Sequence, residues 1–174
     1  MKALFPLAIA VALAGLSACY TPRDVRPAAV EEAKSIVVKD LPALASTITQ
    51  QQPGRAGMVR LLKQYLAQHP EVYGMAFAPG PPPAGKTPKP AIYVYRHGRG
   101  FATRELALPN YNYLRMEWYW KPIHRMEACW SEPYFDVEGG DVWMQTYSIP
   151  LLSGDGSVYG VLTNDVPVHK PRNG

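Results

Sequence analysis

The hydrophobic period of this chain changes at Pro70, and that switch constrains the fold more than any other feature. Before it, Val30, Ala33, Ile36, Val37, Leu41, Leu44 and Ile48 recur at three- and four-residue steps. That spacing predicts a helix from residue 30 to about 51, which Pro42 is expected to kink or divide. Pro53-Gly54 ends it, and Met58, Leu61, Leu62, Tyr65 and Leu66 mark a second helix with His69-Pro70 as its stop. Past Pro70 the period is 2. Residues 72–78, 91–96, a partner segment to about 106, 130–135, 142–151 and 158–166 read as strands. Residues 79–90 form a proline- and glycine-rich loop, and residues 110–120 an aromatic, polar insertion in mid-sheet. Helices first and strands after give an α+β fold, with the N-terminal helices packed on one antiparallel sheet of five to six strands.

The N-terminus carries a separate signal. Lys2 is followed by an apolar run over residues 3–16, too short to span a bilayer but suited to the h-region of a secretory signal. Leu16-Ser17-Ala18-Cys19 closes that run and resembles the lipobox of bacterial lipoproteins. The resemblance implies cleavage before Cys19 and acylation of its thiol. Residues 1–18 are then a signal peptide, 19–29 a polar, proline-bearing tether, 30–168 the domain and 169–174 a tail. More than one acyl chain, at about 0.8 kcal/mol per buried methylene, anchors a protein stably to a membrane surface. Tyr20 stands where an Asp would favour the inner membrane. By resemblance to proteobacterial sorting, the address is the periplasmic face of the outer membrane.

Composition excludes several functions. Removing residues 1–18 leaves 156 residues with 17 basic and 14 acidic side chains, enough chain for one domain with a core. The basic residues are scattered, so nucleic-acid binding is not expected. Beyond Cys19 there is only Cys129, which allows no disulfide within the domain and reads as a small buried apolar residue. His69, His97, His124 and His169 lie far apart, without metal-ligand spacing, and no metal or other cofactor is expected. No GxSxG, HExxH or phosphate-cradling glycine loop points to an enzyme, and Glu132 with Asp136, a carboxylate pair within one strand-like block, has nothing further beside it to suggest acid–base chemistry.

The C-terminal half carries a more specific likeness. Trp118-Tyr119, then the block from Trp130 to Asp136 (WSEPYFD), then Thr146 to Pro150 (TYSIP), then Gly160 to Val166 (GVLTNDV) resemble the Cache family. These are PDC-type, PAS-like extracytoplasmic sensor domains of bacterial chemoreceptors, histidine kinases and membrane phosphatases. The likeness covers residues 30–168 and implies a curved antiparallel sheet whose concave face, roofed by the aromatic segment, encloses a small-molecule pocket. It further implies that Trp118, Tyr119, Trp130, Tyr134 and Tyr147 wall that pocket. Arg115 is then placed to fork onto a ligand carboxylate, with Asp136 and Asp165 accepting from a ligand ammonium. One cation facing two carboxylates suits a zwitterionic amino acid. In the amino-acid-binding subset, however, the arginine stands two residues before the Trp-Tyr pair. Here Arg115 stands three before Trp118, with Glu117 between, and Glu117 itself would favour a cationic ligand such as an amine.

Each residue also has a plainer role. Trp130, Tyr134 and Tyr147 fit as core aromatics, Arg115 as a surface partner of Glu117 or Glu127, and Asp136 as a cap on the Glu138-Gly139-Gly140 turn. Asp165 ends an apolar strand, where an acid requires a partner. Two functions follow. One is a lipid-anchored sensor that captures an amino acid, amine or carboxylate and signals through a separate membrane receptor or transporter, with dimerisation through the N-terminal helix open. The other is a docking lipoprotein whose Cache-like fold has lost its ligand.

Overall fold

The computed structural model describes residues 25–106, 109, 111–137 and 141–171. The lipobox, Cys19 and the tether up to residue 24 lie outside them. Helix α1 runs over Pro27–Gln51, opened by a proline at its first turn, where the missing N–H costs nothing. Val30, Ala33, Val37, Leu41, Ala45 and Ile48 form its buried stripe. The helix is not divided at Pro42. The carbonyl that Pro42 leaves without a donor belongs to Val38, which is 44% exposed and therefore open to water. Helix α2 spans Arg55–Gln68 and buries Met58, Leu62, Tyr65 and Leu66.

Among the described residues seven strands follow, one more than the six segments read as strands from the sequence: β1 (Gly74–Pro79), β2 (Ala91–His97), β3 (Gly100–Leu106), β4 (Cys129–Trp130), β5 (Tyr134–Phe135), β6 (Trp143–Leu152) and β7 (Val158–Pro167). The segment expected as one strand over residues 130–135 is instead two two-residue strands, both paired with β6. Pro133 between them has no N–H to give to a ladder. All pairings are antiparallel, in the order β3-β2-β1-β7-β6-β4, so the first and last long strands lie side by side at the centre. The mid-sheet insertion contains a 3-10 turn (Tyr113–Arg115) and helix α3 (Glu117–Arg125), which continues through Pro122.

Strand alternation sorts the side chains onto two faces. Met75, Phe77, Ile92, Val94, Leu162 and Val166 meet the stripes of α1 and α2 in one core. On the other face the strands offer Ala76, Ala78 and Ala91, small enough to admit the large rings of Tyr113, Trp118 and Tyr119 above them. That aromatic layer packs edge-to-face, with Tyr113 and Tyr119 centroids 5.0 Å apart and Trp118 and Tyr119 6.1 Å apart.

Candidate ligand-binding site

Between the sheet and the α3 layer lies a polar cluster that an apolar core does not need. Asp165 of β7 sits opposite Thr146 of β6, and the Thr146 hydroxyl donates to Asp165 Oδ1 at 2.8 Å. Tyr134 of β5 places its hydroxyl 2.8 Å from the same Thr146 oxygen. Since Thr146 has one proton and gives it to the carboxylate, the chain runs from Tyr134 to Thr146 to Asp165. A second carboxylate, Asp136, follows β5 and takes the Tyr111 hydroxyl on Oδ1 at 3.0 Å. The backbone of Asp136 closes the next turn, its carbonyl accepting from Asp141 N–H at 2.9 Å, while its carboxylate faces Tyr111.

Both carboxylates are withdrawn from water, Asp165 being 3% and Asp136 5% exposed. Burial, with the charge of Asp136 adding to it, pushes the Asp165 carboxyl up to about 7 against the pull of Thr146 and Tyr93. Burial likewise raises Asp136 to about 6, opposed by Tyr111 and, least of all, by Arg104. Tyr93, Tyr111 and Tyr134 are all pushed well above the ordinary phenol range, first by burial and then by the two aspartates. They stay protonated as donors. The Tyr93 ring lies across Gly74, which has no Cβ to obstruct it. Its buried hydroxyl is near enough to Asp165 to act on that carboxyl, yet it makes no hydrogen bond of proper geometry.

The structure thus gathers Trp118, Tyr134, Asp136 and Asp165 on one face, with Tyr119 in the layer behind them. Tyr119 donates to Pro79 O at 2.9 Å, and Tyr113 to Lys89 O at 2.7 Å, so the aromatic layer clips both ends of the proline-rich loop. Trp130 and Tyr147 are not brought to this cluster. They pack together at 5.0 Å against the α1 side of the sheet, where Lys34 lies over the Trp130 ring. Arg115 is exposed at the end of the 3-10 turn. Glu117 and Glu127 pair with Lys121 and Arg125 instead of with Arg115. Partial burial of Glu117 is outweighed by Lys121 and the Glu132 N–H, which hold its carboxyl below the usual range. Cys129 is half-buried, and burial raises its thiol.

Sequence reasoning passed over Tyr93, Tyr111 and Thr146. The alternation of residues 91–96 puts Tyr93 and Tyr95 on one face, and pairing of β6 with β7 puts Thr146 beside Asp165. Surface clefts occur elsewhere, including one of about 740 Å³ between β7 and the proline-rich loop, lined by Phe77, Tyr159, Lys86 and Lys89. Among the described residues no group of three or more His, Cys, Asp or Glu side chains is arranged to hold a metal, and no helix is long and apolar enough to cross a membrane.

Residues 58–170 match the family model described as "Methyl-accepting chemotaxis protein-like, first PDC sensor domain". No curated protein matches the sequence significantly. Among solved structures, the extracellular domain of soHK1S-Z6, a protein assigned as a histidine kinase, aligns with TM-score 0.66 and 24% identity. That alignment covers 80% of this chain and 56% of the other. The ligand-binding domain of Campylobacter jejuni chemoreceptor Tlp3, in complex with L-valine, aligns with TM-score 0.61 and 17% identity over 80% of this chain and 54% of that one. The corresponding domain of the Pseudomonas aeruginosa PAO1 amino acid chemoreceptor PctC, in complex with GABA, aligns with TM-score 0.56 and 18% identity over 79% and 58%. The chain spans little more than half the length of these domains. Fold and family agree: this chain belongs to the methyl-accepting-chemotaxis-protein-like first PDC sensor domains.

Proposed function

We propose that this protein is a lipid-anchored, extracytoplasmic sensor that captures a small metabolite between its sheet and the α3 layer. Occupancy would be passed to a separate membrane protein, a receptor or transporter. The observation that carries this reading is the buried polar cluster of Asp165, Thr146, Tyr134, Asp136 and Tyr111 within an otherwise aromatic layer. Two buried carboxylates call for a purpose in such a layer, because apolar residues of similar volume would fill it at lower cost. A ligand that contacts them gives them one. Family membership supports the same role, as do the amino acid and GABA complexes of the related solved domains.

The test is a thermal-shift screen of the purified protein and its Asp165→Asn variant against amino acids, amines, carboxylates and purines. A ligand present at 100 times its Kd adds about 2.7 kcal/mol, enough to raise Tm by several degrees. A shift in the parent that disappears in Asp165→Asn supports the sensor. The near-complete burial of both carboxylates favours a second reading, a docking protein whose cluster is closed for good. Absence of any Asp165-dependent shift would favour it.

A further inference from the structure

The electrostatics of the cluster are one-sided. Asp136 comes from just past β5 and Asp165 from within β7, and each already commits Oδ1 to a hydroxyl, Tyr111 and Thr146 respectively. The groups that face them are Tyr93 from β2, Tyr111 from the segment before α3, Tyr134 from β5, Asp141 from the turn after β5 and Arg104 from β3. Arg104 is exposed, with its guanidinium 5.8 Å from the Tyr95 ring, and it acts on Asp136 more weakly than any other group named for it. Arg115 is exposed on the 3-10 turn. The six undescribed residues inside the domain, Ala107, Leu108, Asn110, Glu138, Gly139 and Gly140, include no cation.

A zwitterion entering this cluster would satisfy its ammonium and leave its carboxylate beside two others. A simple ammonium meets no such conflict. It can donate to both aspartates, whose remaining polar neighbours, the Tyr111, Tyr134 and Thr146 hydroxyls, carry no charge to oppose it. A second feature, independent of the acids, marks the place as a site. Tyr93 is 2% exposed, and its hydroxyl lies near Asp165 without a hydrogen-bond partner, so a ligand atom there would satisfy it. Its oxygen accepts from an ammonium while its proton turns to the Asp165 carboxylate.

Resting on the sensor reading above, we infer that the cluster selects a primary amine without an α-carboxylate, bound as the ammonium ion between Asp136, Asp165 and the Tyr93 hydroxyl. The binding step is then an exchange. Any proton resident on the aspartate pair in the empty site leaves to solvent as the ammonium enters, and the amine keeps its own proton throughout. Amine affinity therefore rises with pH from 5.5 to 8, because protonation of the pair competes with the ligand.

Calorimetric titration of the full protein with three probes of one shape, isobutylamine, valine and isobutyrate, reads this directly. The expected result is isobutylamine binding at least tenfold tighter than either carboxylated probe. Its affinity should fall tenfold or more in Asp165→Asn, fall less in Tyr93→Phe, and weaken at pH 5.5. Circular dichroism of each variant separates lost binding from lost folding, and Asp165→Glu, which restores the charge, serves where Asn does not fold. Valine binding as tightly as isobutylamine, or isobutyrate binding alone, with either lost in Asp165→Asn, overturns the amine assignment and leaves the sensor site standing. If neither these probes nor any ligand class in the screen gives a signal sensitive to Asp165, both readings fall.

Discussion

Asp165 stands opposite Gly74 in the β1–β7 ladder, and the ring of Tyr93, one strand further on, lies over that glycine to reach toward the same carboxylate. Three neighbouring strands thus meet at one buried acid. The arrangement depends on Gly74 having no side chain, which ties a backbone choice in β1 to the chemistry of β7.

Gly74→Ala is therefore expected to disturb both stability and binding. An added Cβ would sit 2.7 Å from Tyr93 Cζ, and the ring has the packed aromatic layer behind it. Such overpacking costs about 1–3 kcal/mol. Thermal denaturation should show a Tm lower by several degrees, and any ligand found in the screen should bind more weakly.

The empty protein should lose stability as pH rises from about 4 to 7, where most proteins do not. A free aspartate titrates near 3.9, whereas Asp136 and Asp165 in the fold titrate at about 6 and about 7. Between those values the folded state holds more protons than the unfolded chain. Their contribution is fully present below the unfolded value and is lost as pH passes the folded ones. Urea midpoints measured at pH 5 and pH 8 should favour pH 5, by about 1.4 kcal/mol for each unit by which a folded-state value lies above pH 5. Asp165→Asn should remove most of the slope.

On the other face of β7, Asn164 donates to the Tyr65 hydroxyl at 3.1 Å within a largely apolar interface, and its Oδ1 has no partner. Tyr65→Phe strands the Asn164 amide and should cost about 1–3 kcal/mol. The double variant Tyr65→Phe/Asn164→Leu should recover much of that loss. Denaturant titration of the three proteins decides the point.

Arg115→Ala should change little. Its side chain is exposed, and the acids nearest in sequence are paired elsewhere. Stability within about 0.5 kcal/mol of the parent is expected, with ligand affinity altered by less than a factor of three. A tenfold loss of affinity would show that the arginine is recruited when the ligand binds.

The two helices and the five long strands were legible because their apolar residues keep strict periods over several turns or pleats. Helix α3 was not. Its nine residues include Pro122, and its buried residues Trp118, Tyr119 and Pro122 leave no long stripe to read. Strands β4 and β5 are two residues each, too short for any period to register. In the site, Asp165 stood out as an acid ending an apolar strand, and Tyr134 and Trp118 through the family resemblance. Tyr93 and Thr146 acquire their roles from the β2-β1-β7-β6 order, which brings residues distant in sequence to one carboxylate. Trp130 and Tyr147 sit in motif blocks beside residues of the cluster, yet strand alternation turns them to the helix side.

The most direct measurement is a crystal structure of the protein grown with isobutylamine, or with the tightest amine from the screen. The account predicts its nitrogen within hydrogen-bond distance of Asp165 and Asp136, with Tyr93 Oη as a further contact. An amine seated instead in the cleft between β7 and the proline-rich loop, with the Tyr134–Thr146–Asp165 chain intact and its site closed, would contradict it.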